Sequence, residues 1–156
     1  MIAIAVDDEF LALEDFEDTC REVGITDEII KFNNPLDALS YTATNKVDIA
    51  FLDIEMPVIK GIELARRIKA INRNVRIIFA TSYGNYALEA FGVDAVDYVM
   101  KPYEPEDIKK AYEKAFREWA KGTEYEEITD KLAALYAELE PYTFATDYYN
   151  ETVRTV

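Results

Sequence analysis

The chain has 156 residues, half of them hydrophobic, with 31 acidic and 17 basic side chains and a formal net charge of −14. That is enough for one domain, or one domain with a short appendage, and too apolar for a disordered chain. The charge repels nucleic acid and anionic membrane surfaces at long range, and no apolar run reaches the roughly 18 residues a spanning helix needs, so a cytoplasmic protein with no direct nucleic-acid or membrane contact is expected.

Residues 2–6 (IAIAV) form a short, wholly apolar run, as a strand covered on both faces would. From Phe10 to Val23 the residues Phe10, Leu13, Phe16, Cys20 and Val23 recur at helical spacing, and Gly24 ends that helix. Cys20 on this stripe reads as a small buried hydrophobe, and as a lone cysteine it excludes an internal disulfide. Residues 28–32 read as a second strand. Asn34 before Pro35 starts a helix whose apolar face is Leu36, Leu39 and Ala43. Residues 48–52 (DIAFL) are a third buried strand ending at Asp53, followed by the loop IEMPVIKG. The next helix, 62–71, carries Ile62, Ala65, Ile68 and Ile71 on one side and Arg66, Arg67 and Lys69 on the other. A fourth strand over 75–80, a short helix over 85–91 and a fifth strand over 95–100 follow, then Lys101-Pro102. Pro105 opens a last helix with the stripe Ile108, Ala111/Tyr112, Ala115/Phe116 and Trp119.

Strands alternating with helices imply right-handed crossovers and a doubly wound α/β fold with an open parallel sheet. Ligands of such sheets bind beyond the carboxyl ends of the strands. Strand one ends in Asp7-Asp8-Glu9, strand three in Asp53, strand four in Thr81-Ser82 and strand five near Lys101. Gathered on one edge, three carboxylates repel one another and call for a cation. With oxygen ligands and no histidine in the chain, that cation is Mg²⁺ or Mn²⁺ rather than a softer metal. A carboxylate nucleophile, a metal, an ammonium and a hydroxyl together suit phosphoryl transfer. Taken singly, Asp8 and Thr81 also read as helix caps and Lys101-Pro102 as a turn; the conjunction at four strand ends favours the site.

The segments VDDE (6–9), FLDIEMPVIKG (51–61), FATS (79–82) and DYVMKP (97–102) occur in the order and spacing of bacterial response-regulator receiver domains, and the chain resembles that family over about residues 1–120. The resemblance implies a five-stranded parallel sheet of order 2-1-3-4-5, flavodoxin-like and shared with chemotaxis regulators. It implies Asp53 as phosphoacceptor, Asp7 and Asp8 as metal-site acids, and Glu55 as the donor of a backbone carbonyl to the metal. Thr81 takes the place of the switch hydroxyl, Tyr98 of the switch aromatic, and Lys101 of the phosphate-binding lysine, with a peptide to Pro102 that is often cis. Such a chain is a switch rather than an enzyme, phosphorylated by a sensor histidine kinase and signalling to a downstream protein through the face of helix four, strand five and helix five.

The stretches AVDDEFLALED, FLDIEMP and YALEAFGVDAVDYVMKP look similar to receivers of the LytTR type, which precede a DNA-binding output domain. Residues 122–156 are too few for such a domain and carry eight acidic and two basic side chains. They are expected to form an extension to a receiver of residues 1–121: an amphipathic helix at about 124–139, then an aromatic tail. Its stripe of Tyr125, Ile128, Leu132, Leu135/Tyr136 and Leu139 would pack on the receiver, pair with a second copy in a homodimer, or begin a linker. An N-terminal fragment of a LytTR-type regulator is one alternative. An FMN-binding flavodoxin-like protein is another, disfavoured because Asp7-Asp8-Glu9 would repel the FMN phosphate at the loop where that class holds it.

Overall fold

The computed structural model describes residues 1–25 and 27–121. The extension at 122–156, with its helix at about 124–139, therefore lies outside the described residues. In chain order the elements are β1 (Ala3–Val6), α1 (Phe10–Glu22), β2 (Ile29–Phe32), α2 (Pro35–Thr44), β3 (Ile49–Leu52) and α3 (Gly61–Ile71). Then come β4 (Arg76–Thr81), a 3₁₀ turn (Gly84–Tyr86), α4 (Ala87–Gly92), β5 (Asp97–Met100) and α5 (Pro105–Ala120). The strands form one parallel sheet of order 2-1-3-4-5.

The central strands are buried along their whole length because helices cover both faces. Alternation splits their side chains between two cores. Ile4, Val6, Leu52, Ile77 and Phe79 point to the side of α2 and α3, where they meet Leu64 and Ile68. Ala5, Ile49, Phe51 and Ile78 point to the side of α1 and α5 and meet Leu13, Phe16, Ile108 and Ala115. The edge strand β2 is only half-buried, and its Lys31 is held by Glu14 at 2.6 Å and Glu17 at 3.2 Å.

The helical starts and stops follow local chemistry. Asn34 accepts the Leu36 N–H at 2.9 Å, with Pro35 preorganised in the first turn of α2. Gly24 takes a φ of 84° just past α1. At Glu104 a reciprocal capping box with Asp107 opens α5.

Three predicted faces need correction. On α2 the buried positions are Pro35, Ala38 and Thr42, while Leu36 is exposed. Burial of Thr42 is tolerated because its hydroxyl donates to the Ala38 carbonyl at 2.9 Å. Phe10 and Leu11 open α1 but lie outside its packed face, at 62% and 79% exposure. Ile71, the last residue of α3, is likewise exposed. The short fourth helix is two pieces, the 3₁₀ turn and then α4, and β4 runs one residue further than expected, taking in Thr81.

Candidate phosphoryl-transfer site

Register places the candidate side chains. Val6 pairs with Leu52, Leu52 with Phe79, and Thr81 with Met100. Asp7, Asp53 and Lys101 each stand one residue beyond a strand end. Their backbones continue the sheet: Asp53 N–H donates to Val6 O at 2.9 Å, Asp7 N–H to Phe32 O at 3.1 Å and Lys101 N–H to Thr81 O at 2.8 Å. The side chains are thus fixed by ladder geometry rather than by a mobile loop.

Carboxylate oxygens of Asp7, Asp8 and Asp53 lie within 4.8 Å of one another. Asp7 is buried, Asp53 half-buried and Asp8 exposed. Asp8 does not cap α1. The cap residue is Glu9, which makes no side-chain cap bond, and it is Asp7 Oδ1 that accepts the Glu9 N–H at 3.0 Å. The Lys101 ammonium sits 2.5 Å from Asp7 Oδ2 and 3.9 Å from Asp53 Oδ2, and the peptide that follows, Lys101–Pro102, is cis. Asp53 Oδ1 accepts the Ile54 N–H at 2.8 Å.

Burial holds the Asp53 carboxyl above the ordinary range, and the neighbouring Asp7 charge adds to that; Lys101, the Thr81 hydroxyl and the Ile54 N–H oppose it. Three acids crowded at a sheet edge, one of them disfavoured as a free anion, suit a hard divalent cation. Thr81 is fully buried, and its oxygen accepts the Tyr83 N–H at 3.3 Å, so it caps neither the 3₁₀ turn nor α4. Tyr98 on β5 stacks at a tilt on Phe79, with centroids 6.3 Å apart, and its hydroxyl donates to the Tyr83 carbonyl. The structure therefore brings together Asp7, Asp8, Asp53, Thr81 and Lys101, with Tyr98 one strand away. The Glu55 side chain faces elsewhere: its carboxylate accepts from Tyr86 Oη and from Lys60 Nζ, the latter at 3.4 Å.

One residue at this site escaped the sequence reading. A Cβ on Gly61 would lie 1.9 Å from the Asp53 carbonyl oxygen, so only glycine lets α3 start against the acceptor strand. Gly61 N–H donates to Ile54 O at 2.8 Å and closes the loop. A glycine opening an amphipathic helix was the available signal. Val58 in the same loop has a φ of 74°, which a β-branched residue adopts only under strain.

A doubly wound sheet with an acidic cluster, a lysine and a buried hydroxyl at its carboxyl edge is the arrangement expected of a receiver, and the chain belongs to the response regulator receiver domain family, which matches residues 3–113. Among relatives, it is 33% identical over 135 residues to the sensory transduction protein LytR of Staphylococcus haemolyticus, covering 86% of this chain and 53% of that protein. The chain thus spans about half the length of such curated relatives. Its fold is similar to the response regulatory domain of protein MrkE from Klebsiella pneumoniae, at 36% identity and a TM-score of 0.70, covering 76% of this chain and 98% of that one. It is also similar to the response regulator TrrA of Thermotoga maritima, solved in complex with Mg²⁺-BeF, at 31% identity and a TM-score of 0.65, covering 73% and 97%.

Proposed function

We propose that this receiver accepts a phosphoryl group on Asp53 from a sensor histidine kinase or a small phosphodonor, and switches a protein–protein surface in response. The observation that carries the reading is the Asp53 carboxylate, held at a strand end, with Asp7, Asp8, Lys101 and Thr81 gathered around it. In the transfer, Asp53 Oδ2 forms the new O–P bond while the donor's P–N or P–O bond breaks and its electron pair leaves with the donor. Asp7, Asp8, Asp53 and the Glu55 backbone carbonyl would hold Mg²⁺, as the acidic cluster and the Mg²⁺-BeF complex of TrrA suggest. When bound, that ion supplies charge neutralisation at the acids and the phosphoryl oxygens. Lys101 binds a second phosphoryl oxygen and Thr81 donates to a third.

The aspartyl phosphate carries roughly −1.5 to −2 charges, by analogy with other phospho-residues. Thr81 turns toward it and Tyr98 moves into the vacated space. The face of α4, β5 and α5 then changes, and on that face Leu88, Phe91 and Met100 are already exposed for a downstream partner. Apart from its own phosphorylation and slow dephosphorylation, the chain carries no catalytic turnover in this reading. A second reading, the receiver part of a longer LytTR-type regulator, is favoured by the half-length coverage of LytR.

The test is intact-mass spectrometry after incubation with acetyl phosphate and Mg²⁺. The protein should gain one phosphoryl mass and Asp53→Ala none. Uptake persisting in Asp53→Ala would sink the assignment.

A further inference from the structure

Glu55, Lys60 and Tyr86 form a cluster that bridges two segments with no other described hydrogen bond between them. Tyr86 Oη donates to Glu55 Oε1, and Lys60 Nζ lies 3.4 Å from that same oxygen and 3.5 Å from Tyr86 Oη. The ammonium also stands 5.7 Å from the centre of the Tyr86 ring. Glu55 and Lys60 belong to the loop between β3 and α3, beside Asp53. Tyr86 is the last residue of the 3₁₀ turn and the cap of α4.

The same turn is wired to the switch residues. Tyr83 N–H donates to Thr81 Oγ1, and Tyr83 O accepts from the Tyr98 hydroxyl. The Tyr83 and Tyr86 rings meet edge to face with centroids 6.4 Å apart. A one-turn 3₁₀ segment ahead of a six-residue helix with Leu88 and Phe91 exposed is a weakly anchored element. If Thr81 turns toward a phosphoryl group and Tyr98 moves inward, Tyr83 loses both side-chain partners of its backbone, and the Tyr86–Glu55 hydrogen bond must still break before the start of α4, which also packs on the core through Tyr86 and Ala90, can shift.

We infer that Tyr86 and Lys60 are positioning residues that latch the start of α4 to the loop beside Asp53 in the unphosphorylated state, and that the latch opposes switching. They act through the turn and not on the reacting atoms. The inference rests on the phosphoacceptor reading. It goes beyond it in assigning a role to Tyr86 and Lys60, and in giving the Glu55 side chain a task separate from its backbone carbonyl. A bond present in one state only must be broken by whatever stabilises the other, so removing it strengthens binding of the ligand that selects the switched state.

Beryllofluoride with Mg²⁺ is the probe, read by titration of tyrosine fluorescence and calorimetry. Tyr86→Phe keeps the ring and removes the hydroxyl, and should tighten the apparent affinity by roughly three- to tenfold, the worth of one such hydrogen bond. Lys60→Met should shift it the same way by less. In a Glu55→Ala background the Tyr86→Phe change should have no further effect, a coupling that a merely structural tyrosine would not show. Equal affinity in wild type and Tyr86→Phe, or an undiminished Tyr86→Phe effect in the Glu55→Ala background, overturns the latch and leaves the acceptor site standing. Absence of beryllofluoride binding by wild type overturns the acceptor reading and the latch with it.

Discussion

Glu113 shows how a single side chain can set the pH response of a protein with no histidine. It lies on α5 at 7% exposure, with Oε1 lacking a hydrogen-bond partner among the described residues. Burial pushes its carboxyl up to about 7; Glu106 adds to that, while Lys109, Arg117 and Lys110 oppose it. Between the ordinary glutamate range and about 7 the unfolded chain is ionised and the folded chain holds the proton. Stability therefore falls as pH rises through that window and levels off above it. Glu113→Gln should leave the melting temperature unchanged near pH 4 and raise stability at pH 8, by roughly 1–3 kcal/mol. Urea unfolding at the two pH values checks this, and an equal effect at both would refute a protonation origin. Cys20 is the opposite case. Its thiol is pushed up to about 12, mainly by burial, so it stays a protonated core side chain as its place on the helical stripe implied.

At the scale of elements, the joint between β3 and α3 is the tightest point near the site. Gly61→Ala would drive a methyl group into the Asp53 carbonyl, and neither backbone can yield without shifting the acceptor. It should cost roughly 3 kcal/mol or more in urea unfolding, at the upper end for overpacking. The same substitution at Gly92, where nothing lies within 4 Å, should be close to neutral. The central strands were legible because buried parallel strands write themselves as unbroken apolar runs, whereas the order of the sheet rested on the family resemblance. The acidic and basic residues at their ends were legible because strand ends converge in such a sheet. Helix faces were read less well. Leu36, Phe10 and Ile71 are apolar but exposed, since propensity and spacing do not say which way a short helix is rotated on its sheet. The link from Tyr86 to Glu55 spans 31 residues and leaves no local pattern to read.

For the whole molecule, the −14 charge is unevenly tolerated. Pairs such as Arg21 with Glu17 and Asp18, or Arg67 with Glu63, are exposed and contribute little. The acids Asp7, Asp8 and Asp53 at the carboxyl edge of the sheet lie within 4.8 Å of one another, and a divalent cation that binds only the folded state should raise the melting temperature with concentration. Mg²⁺ is expected to do so in wild type and much less in Asp8→Ala; an equal rise in both would place the ion elsewhere. No described helix is long and apolar enough to cross a membrane.

The Lys101 ammonium lies 2.5 Å from Asp7. The chain thus carries its own counterion into the acidic edge, contributed by a residue 94 positions further along the sequence. Part of the charge on that edge is neutralised by the chain itself, so the fold is expected not to depend on a metal, unlike small domains that remain unfolded until metal arrives. A chelator is then expected to undo any thermal stabilisation by Mg²⁺ while leaving the fold intact, which circular dichroism before and after chelation would check.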